Sequence, residues 1–246
     1  MAYDTLAPDY DELVREDQPM REVLWKHYQR VVQPGNRVLE LGCGTGLDTL
    51  FLARYGARVT AIDASHAMIA RLLEKAEKSQ LDDRIEAQVN DINLLNDFPS
   101  ASYDAIVSAF AALNTVANLE KLAEEAARIL RPGGRMIVHL LAPAGLWEKR
   151  GPEETVGMNG HPVKHHLPSV DEAIRFFNGP LHLRRAYGLG FLWPRWVGRR
   201  VPLVVARPFG HLEARLGVWP PFLNWGRFFV LDLENRASKT SKEHRT

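Results

Sequence analysis

The sequence predicts an α/β protein built on a doubly wound, mostly parallel sheet of seven strands. Short apolar strands alternate with helical segments along most of the 246 residues, and strands that are apolar on both faces are typical of parallel sheets covered by helices. Hydrophobic residues make up 46% and charged residues 25%, as in folded globular chains. We expect residues 1–236 to form one domain and residues 237–246 a flexible tail.

The predicted elements follow one another in a regular order. A helix at residues 20–32 precedes a strand at 37–41, a glycine loop, a helix at 47–55 and a strand at 58–62. Next come a helix at 65–79, strands at 84–89 and 103–108, a helix at 118–130 and a strand at 135–141. Ser169-Val-Asp-Glu172 is a capping box that begins a helix ending near residue 179. Residues 181–187 and 227–233 are predicted as the last two strands.

Composition excludes several classes of function. The single cysteine, Cys43, can form neither an internal disulfide nor a cysteine-based zinc site, and no spacing of His, Asp and Cys predicts another metal site. The net charge of +1 predicts no general attraction to nucleic acid. The acidic N-terminus lacks the apolar stretch of a signal peptide, and no apolar run reaches the ~20 residues of a membrane span. We therefore expect a cytoplasmic protein.

A glycine loop between the first strand and the following helix is the most specific motif. Gly42-Cys-Gly-Thr-Gly46 has the spacing G-x-G-x-G, and its glycines allow the backbone to approach a ligand closely. Leu47 stands where the dinucleotide-binding fingerprint G-x-G-x-x-G has its third glycine, so an NAD(P)-dependent oxidoreductase remains an alternative. A purely structural turn is a further alternative. Ligands of such sheets bind beyond the carboxyl ends of the strands, where Asp63 and Asp91 also lie.

The segment Glu40-Leu-Gly-Cys-Gly-Thr-Gly46 resembles the first motif of the class I S-adenosylmethionine-dependent methyltransferases. The resemblance extends over about residues 37–141 and implies a Rossmann-like methyltransferase fold, methyl transfer and S-adenosyl-L-methionine as cofactor. The residues whose positions match cofactor-binding positions of that family, or lie at the same strand ends, are Tyr10, Glu40, Gly42, Cys43, Gly44, Thr45, Gly46, Asp63, Ala64, Met68, Asn90, Asp91, Ile92 and Ser108.

The resemblance gives several of these residues particular roles. Asp63 is expected to accept the two ribose hydroxyls, with Ala64 and Met68 on the adenine side, and Asp91 to accept the adenine amino group. Glu40 is expected near the cofactor's amino group. The alternatives are that Glu40 caps the loop amides, that Asp63 caps the next helix and that Asn90-Asp91 is only a loop.

The N-terminal sequence resembles an opening motif of the same family. Tyr3-Asp-Thr-Leu-Ala-Pro-Asp-Tyr-Asp11 matches the pattern Y-D-x-x-A-x-x-Y-D, which often folds over the cofactor as a lid. We therefore assign residues 1–33 to a lid and its helix, with Tyr10 near the methionine part of the cofactor. The alternative is that the tyrosines only anchor a terminal helix on the core.

Transfer to a hydroxyl or an ammonium group requires a base, and histidine is the usual base near neutral pH. His165 and His166 are the preferred candidates, because they are predicted to lie in the loop that follows the fifth strand. His139 follows two apolar residues in that strand, which favours a core position for it. A module that binds the cofactor and transfers nothing is an alternative from a different functional class.

Residues 181–231 differ in composition from the rest of the chain. They contain eight arginines, one acidic residue and four of the six tryptophans, so their net charge is +7 and that of the remainder is −6. We predict that two substrate-side insertions, 142–180 and 189–225, favour a small-molecule or apolar, lipid- or quinone-like acceptor. A pocket cap, peripheral membrane contact through 189–225, dimerisation and nucleic-acid contact are the alternatives for this segment. Asn114, Tyr187 and Trp193 are the predicted acceptor-side residues, with helix capping as the alternative for Asn114.

Overall fold

A seven-stranded sheet forms the centre of the protein in the computed structural model, which describes residues 3–158, 161–192 and 203–236. The strands are β1 (Arg37–Leu41), β2 (Arg58–Asp63), β3 (Ile85–Val89), β4 (Tyr103–Ser108), β5 (Leu130–Leu141), β6 (Glu153–Met158), β7 (His161–His166), β8 (His182–Leu189) and β9 (Phe228–Glu234). The sheet order is β3-β2-β1-β4-β5-β9-β8. Strands β1 to β5 are parallel, and β9 is antiparallel to both of its neighbours. The predicted fold class is confirmed.

The structure describes eight helices, and the second to the sixth begin close to the predicted positions. They are α1 (Tyr10–Leu13), α2 (Gln18–Val31), α3 (Leu47–Tyr55), α4 (His66–Lys78), α5 (Leu119–Ile129), α6 (Val170–Phe177), α7 (Leu203–Leu216) and α8 (Phe222–Trp225). The side chains of Ser65 and Asn118 cap α4 and α5, as predicted. The capping box formed by Ser169 and Glu172 begins α6. Each cap satisfies backbone N–H groups that the first helical turn leaves without partners.

The alternation of side chains along the strands divides the core into two layers. In β4, Val107 packs into the layer that contains buried residues of α2, α3 and α4. The adjacent Ile106 packs into the opposite layer with α5 and α6. Both faces of the sheet are therefore covered by helices. The strand order reverses between β1 and β4, and the loops that leave these two strands meet at the carboxyl edge of the sheet, where a crevice is expected.

One predicted loop is a hairpin instead. Strands β6 and β7 pair in antiparallel register, with Glu154 opposite His165 and Glu153 opposite His166. The prediction that His165 and His166 lie in a loop is therefore wrong. Successive residues of a strand point to opposite faces, so the two histidines cannot act on one reacting group together.

Residues 181–231, which are rich in arginine and tryptophan, contain a long helix. Helix α7 has 14 residues and includes Pro208. It packs against α2, where Gly210 approaches the chain so closely that a Cβ atom would lie 2.9 Å from the carbonyl oxygen of Pro19. This tertiary packing opposes the cost of an internal proline. Trp193 and the predicted tail at residues 237–246 lie outside the described residues.

In the described part of the chain, none of the helices combines the length and the apolar character that crossing a membrane requires.

Candidate functional site

The glycine loop is held at the carboxyl edge of the sheet by its own backbone. The N–H groups of Gly42 and Cys43 donate to the carbonyl oxygen of Ile62, at 2.9 and 3.0 Å, and so join the end of β1 to the end of β2. Gly42 has a φ of +73°, and a Cβ atom there would lie 2.3 Å from Cβ of Ala112. Only glycine fits this close approach of the two loops that follow β1 and β4.

Asp63 ends β2 beside the glycine loop, where the sequence predicts it. Its Oδ2 accepts from the Gly44 N–H and its Oδ1 from the Ser65 N–H, both at 2.9 Å. These bonds fix the direction of the carboxylate. Burial outweighs the two bonds and raises the pKa of Asp63. The cap of α4 is the Ser65 side chain, so the alternative role of Asp63 as that cap is not seen.

A cavity of about 470 Å³ opens beside the loop, within the size range of small-molecule sites. Its described lining residues are Tyr3, Leu6, Tyr10, Leu13, Val14, Gly42, Gly44, Asp63, Ala64, Met68, Ile92, Ala109, Phe110, Ala111, Ala112, Thr115 and His165. Most of these side chains are apolar. The cavity thus joins the predicted cofactor residues to an apolar wall and to one histidine.

Residues 3–17 cover this cavity and are tied to the site by two carboxylates. Asp4 accepts from the Ser65 hydroxyl at 2.6 Å. Asp11 accepts from the Thr45 hydroxyl and from Lys75 Nζ, both at 2.5 Å. The N-terminal segment therefore lies against the glycine loop and α4.

Tyr10, in the N-terminal segment, lies against the glycine loop. Its Cε1 atom would be 3.4 Å from a Cβ atom on Gly44, so the ring rests directly on the loop backbone. Burial raises the pKa of Tyr10 to about 12, and the phenol stays protonated at neutral pH.

A second, much smaller cavity of about 20 Å³ lies beside Cys43, Thr45 and Asp48. Arg21 of α2 lines it, lies 4.1 Å above the centre of the Phe110 ring, and forms a buried ion pair with Asp48. The Nε atom of Arg21 is buried without a hydrogen-bond partner. Sequence reasoning missed this pair, because two residues 27 positions apart carry no local signal.

Neither Glu40 nor Gly46 is among the described lining residues of these two cavities. Glu40 is buried, and its Oε2 accepts from the Thr49 hydroxyl at 2.5 Å. Burial, with the nearby Asp48 carboxylate, raises the pKa of Glu40. Gly46 caps α3 with a φ of +84° and packs on Leu72 of α4.

Of the three cofactor-binding residues predicted after β3, one lies on the cavity and two do not. Ile92 lines the large cavity, whereas Asn90 and Asp91 do not. Asp91 is exposed, and its Oδ1 accepts from the backbone and side-chain N–H groups of Asn93 at 2.8 Å. The structure therefore brings Ile92, with Ala64 and Met68, to the site and leaves Asp91 holding a turn.

Three other predicted site residues are structural. The Ser108 hydroxyl donates to the carbonyl oxygen of Leu41 at 2.8 Å, which ties β4 to β1. The Asn114 amide donates to the carbonyl oxygens of Leu141 and His166 and accepts from the Leu141 N–H, so it neither faces the cavity nor caps a helix. Tyr187 is the third of these residues. The side chains of Ser108, Asn114 and Tyr187 are all buried, and their polar groups form hydrogen bonds. None of the three is among the described residues that line the cavity. Their polar groups are instead hydrogen-bonded to neighbouring strands and loops.

Tyr187 belongs to a buried network behind the sheet. His27 Nε2 forms a hydrogen bond with Asp232 at 2.8 Å, and its Nδ1 forms one with the Tyr187 hydroxyl at 2.9 Å. Arg135 donates to the other oxygen of Asp232. Burial alone would raise the pKa of Asp232, but the hydrogen bonds from His27 and Arg135 outweigh it and lower the pKa.

The three candidate histidines have different surroundings. His165 lines the large cavity, and burial lowers its pKa. His166 is half-exposed, and its Nδ1 lies 3.4 Å from the carboxylate of Glu153. His139 is buried and accepts from the Phe110 N–H at 3.2 Å. Burial and the charges of two nearby arginines lower the pKa of His139 to about 3, so it stays neutral. The core position expected for His139 is seen.

Among the described residues, no three His, Cys, Asp or Glu side chains converge to hold a metal ion. The groups at the site suit a nucleoside with a zwitterionic tail instead. They are a bare loop backbone, an oriented carboxylate at Asp63, and an arginine with an unused buried N–H at the small cavity.

Comparisons with known proteins agree with this chemistry. Residues 38–134 match the family model described as a methyltransferase domain. A phosphatidylethanolamine N-methyltransferase of Cereibacter sphaeroides is 40% identical over 104 residues, which are 42% of this chain and 50% of that protein. A demethylmenaquinone methyltransferase of Tropheryma whipplei (strain Twist) is 38% identical over 107 residues, which are 44% of this chain and 42% of that protein. The matched region thus spans about half the length of these relatives.

The fold is similar to that of solved methyltransferases. The crystal structure of geranyl diphosphate C-methyltransferase from Streptomyces coelicolor A3(2), in complex with Mg²⁺, geranyl diphosphate and S-adenosyl-L-homocysteine, superposes with a TM-score of 0.61. The two chains are 17% identical, and the superposition covers 87% of this chain and 77% of that one. The fold, the glycine loop and the matched family model together lead to one conclusion: the chain contains a class I S-adenosylmethionine-dependent methyltransferase domain.

Proposed function

We propose that this protein transfers a methyl group from S-adenosylmethionine to a small, apolar acceptor. One observation carries the proposal: a single cavity of about 470 Å³ joins the glycine loop and Asp63 to an apolar wall beneath a closed N-terminal segment. The cavity is large enough for a small molecule, and residues 3–17 form part of its wall.

The side chains on the two cavities suit different parts of the cofactor. The carboxylate of Asp63 accepts the ribose hydroxyls, and Ala64, Met68 and Ile92 supply the apolar surface for adenine. Arg21 supplies a cation for the cofactor's carboxylate at the small cavity, and Tyr10 covers the methionine part. Glu40, Cys43, Thr45 and Gly46 act by shaping the loop.

S-adenosylmethionine, when bound, supplies an electrophilic methyl group on a sulfonium. The protein's part is to hold the acceptor in line with that methyl group and to exclude water, and the effective concentration gained in this way accounts for much of the rate. The N-terminal segment performs the second task, because Asp4 and Asp11 hold it over the loop.

An apolar acceptor is supported by the wall of the cavity. Leu6, Leu13, Val14 and Phe110 line the same cavity as the residues proposed to hold the cofactor. Relatives named for phosphatidylethanolamine and for demethylmenaquinone make a lipid- or quinone-like acceptor a consistent choice. We further propose that residues 1–236 act as one domain, with 142–180 and 189–225 on the acceptor side.

We also propose that the acceptor side docks on an anionic membrane surface. Trp147, Trp219 and Trp225 are 54%, 68% and 40% exposed, and the N–H of Leu146 donates to the carbonyl oxygen of Trp225, so two of these tryptophans lie close together. Tryptophan prefers the membrane interface, and the net charge of +7 on residues 181–231 attracts anionic headgroups.

Calorimetry tests the cofactor assignment. S-adenosylhomocysteine should bind the wild-type protein, and Asp63→Asn should weaken binding by about 1–3 kcal/mol, the value of hydrogen bonds to a charged group. Asp82→Asn is the matched control, because Asp82 is exposed and is not among the described residues that line the cavity. Tight binding of NADH with no response to S-adenosylhomocysteine would establish an oxidoreductase instead.

Co-sedimentation with liposomes tests the docking surface. Wild-type protein should bind vesicles that contain phosphatidylglycerol at low salt and dissociate at high salt, because salt screens the attraction between arginine and headgroup. Replacing Trp219 and Trp225 by alanine should reduce binding without changing affinity for S-adenosylhomocysteine. Absence of binding at either salt concentration would leave residues 189–225 as a pocket cap.

A further inference from the structure

His165 is a buried polar side chain without a partner inside the large cavity. His165 is 6% exposed, and neither of its ring nitrogens has a hydrogen-bond partner. Leaving a buried polar group unpaired costs about 1–3 kcal/mol, so an unpaired imidazole on a cavity wall points to a ligand that completes it. His166, by contrast, faces Glu153 outside the cavity.

Hydrogen bonds hold the strand that carries His165 against the rest of the site. Strand β7 ends against the turn that follows β4, where the Asn114 amide donates to the carbonyl oxygen of His166 at 2.7 Å and to that of Leu141 at 3.1 Å. The same turn supplies Ala112 and Thr115 to the cavity wall. The position of His165 relative to the cavity is therefore set by the junction of three chain segments, with Asn114 as the positioning residue.

The surroundings of His165 keep its imidazole neutral, so that it can act as a base. Glu154 lies opposite it in the hairpin, and Arg150 Nε lies 3.5 Å from that carboxylate. Burial lowers the pKa of His165, and the neighbouring His166 lowers it further while Glu154 opposes the shift, so the imidazole is neutral at pH 7. It can therefore accept a proton.

The other titratable groups on the cavity wall are less suited to this task. Burial raises the pKa of Tyr3 and that of Tyr10, so both phenols keep their protons. Both carboxylate oxygens of Asp63 already accept backbone N–H bonds, and the proposed function uses them for the ribose.

The charge of the cavity wall limits which acceptors the cavity can bind. Among the described lining residues, none is an arginine or a lysine. The described wall therefore offers no cation to pair with a diphosphate or a carboxylate of an acceptor, and burying such a group unpaired is costly. The similar geranyl diphosphate C-methyltransferase holds its substrate together with Mg²⁺, whereas the described residues of this chain form no cluster that could hold a metal ion.

We infer, on the basis of the proposed methyl transfer, that the acceptor is an uncharged apolar molecule that reacts through a phenol- or enol-type hydroxyl, and that His165 removes the proton of this hydroxyl. The acceptor oxygen forms the bond to the methyl carbon as the bond from that carbon to sulfur breaks, and sulfur keeps the electron pair as a neutral thioether. The hydroxyl proton moves to a ring nitrogen of His165 and then to solvent, so charge and atoms balance.

A panel of acceptors with similar apolar chains tests the inference. Each is incubated with methyl-labelled S-adenosylmethionine: an alkylcatechol, an alkylaniline and geranyl diphosphate. The inference predicts transfer to the alkylcatechol oxygen in preference to the other two. Preference for the aniline or the diphosphate overturns it, and so does the absence of transfer to all three. Binding of S-adenosylhomocysteine, measured in parallel, separates this failure from failure of the proposed function.

Variants of the two adjacent histidines test the role of His165. His165→Gln should lower kcat/KM for the alkylcatechol at least about 100-fold, as loss of a general base does, while affinity for S-adenosylhomocysteine changes less than about twofold. His166→Gln should change neither quantity. The wild-type rate should fall at low pH with an apparent pKa below 6.5, because protonated His165 cannot act, and His165→Gln should lose this limb. Equal losses in both variants would show a structural role and overturn the inference.

Nuclear magnetic resonance supplies a readout that does not depend on turnover. The Cε1 proton of His165, assigned by its absence in His165→Gln, should titrate below pH 6.5. It should also shift when alkylcatechol is added to the complex with S-adenosylhomocysteine. A resonance that does not respond to the catechol would place the acceptor elsewhere and overturn the assignment.

Discussion

The buried ion pair between Arg21 and Asp48 gives a stability prediction whose size follows from the structure. The two side chains are 5% and 4% exposed, and the Trp25 Nε1–H donates to the same carboxylate at 2.7 Å. Asp48→Ala leaves the Arg21 charge buried without its partner and removes the acceptor of Trp25. We expect a loss of about 3–5 kcal/mol in the free energy of unfolding, as for other broken buried pairs. This is a large part of the ~5–15 kcal/mol that stabilises a typical domain.

Urea denaturation, followed by tryptophan fluorescence and by circular dichroism, measures this loss. The thermal midpoint should fall by roughly 6–20 °C, at about 2–4 °C per kcal/mol for a chain of this size. Asp82→Ala is the matched control and should stay within about 0.5 kcal/mol of wild type, because Asp82 is exposed.

A double variant separates loss of the charge pair from loss of packing. Arg21→Met with Asp48→Leu replaces both charges by apolar groups of similar length and should recover most of the stability that Asp48→Ala loses. Methionine at this position also keeps a favourable contact with the Phe110 ring, over which Arg21 lies. The reasoning is refuted if Asp48→Ala costs less than about 1 kcal/mol, or if the double variant is no more stable than the single one.

Three further predictions concern the loop, the buried network and the lid. Gly46→Ala should lower the free energy of unfolding, measured by urea denaturation, by about 1–3 kcal/mol more than Gly133→Ala does. Both glycines have φ near +80°, but only a Cβ atom at position 46 would meet a side chain, with Leu72 Cδ1 at 2.2 Å. Equal losses in the two variants would contradict the steric argument. Because the folded-state pKa of Asp232 is depressed, the stability it contributes is present above its unfolded pKa of about 3.9 and is lost as pH falls through the folded pKa. The difference in urea stability between wild type and Asp232→Asn should therefore shrink below about pH 4, and a difference independent of pH would exclude this linkage. Asp11→Ala should raise the dissociation rate of S-adenosylhomocysteine about tenfold, because the N-terminal segment loses two charge-assisted hydrogen bonds. Stopped-flow fluorescence measures this rate, and an unchanged rate would mean that the segment does not gate the site.

Local patterns were sufficient to predict the sheet, several helix caps and the position of the glycine loop. Apolar runs of strand length, helix caps at Ser65 and Asn118, and the capping box at Ser169 each depend on residues within a few positions of one another, so the sequence alone determines them. The glycine loop is equally local. The β6–β7 hairpin also had a local signal that the prediction overlooked, since Asn159-Gly160 is a dipeptide typical of two-residue hairpin loops.

Which side chains face the cavity was decided by the tertiary structure. Ser108, Asn114 and Tyr187 stand at the ends of strands and loops where a ligand was expected, but neighbouring segments take up their hydrogen-bonding groups. Nothing near them in the sequence indicates this, because Tyr187 finds its partner His27 160 positions away. The pairing of Arg21 with Asp48 depends in the same way on how α2 crosses α3. The sequence determines the periodicity and turns of each element, because these arise from neighbouring residues. The polar partners at the site arise only when distant segments meet in the folded chain.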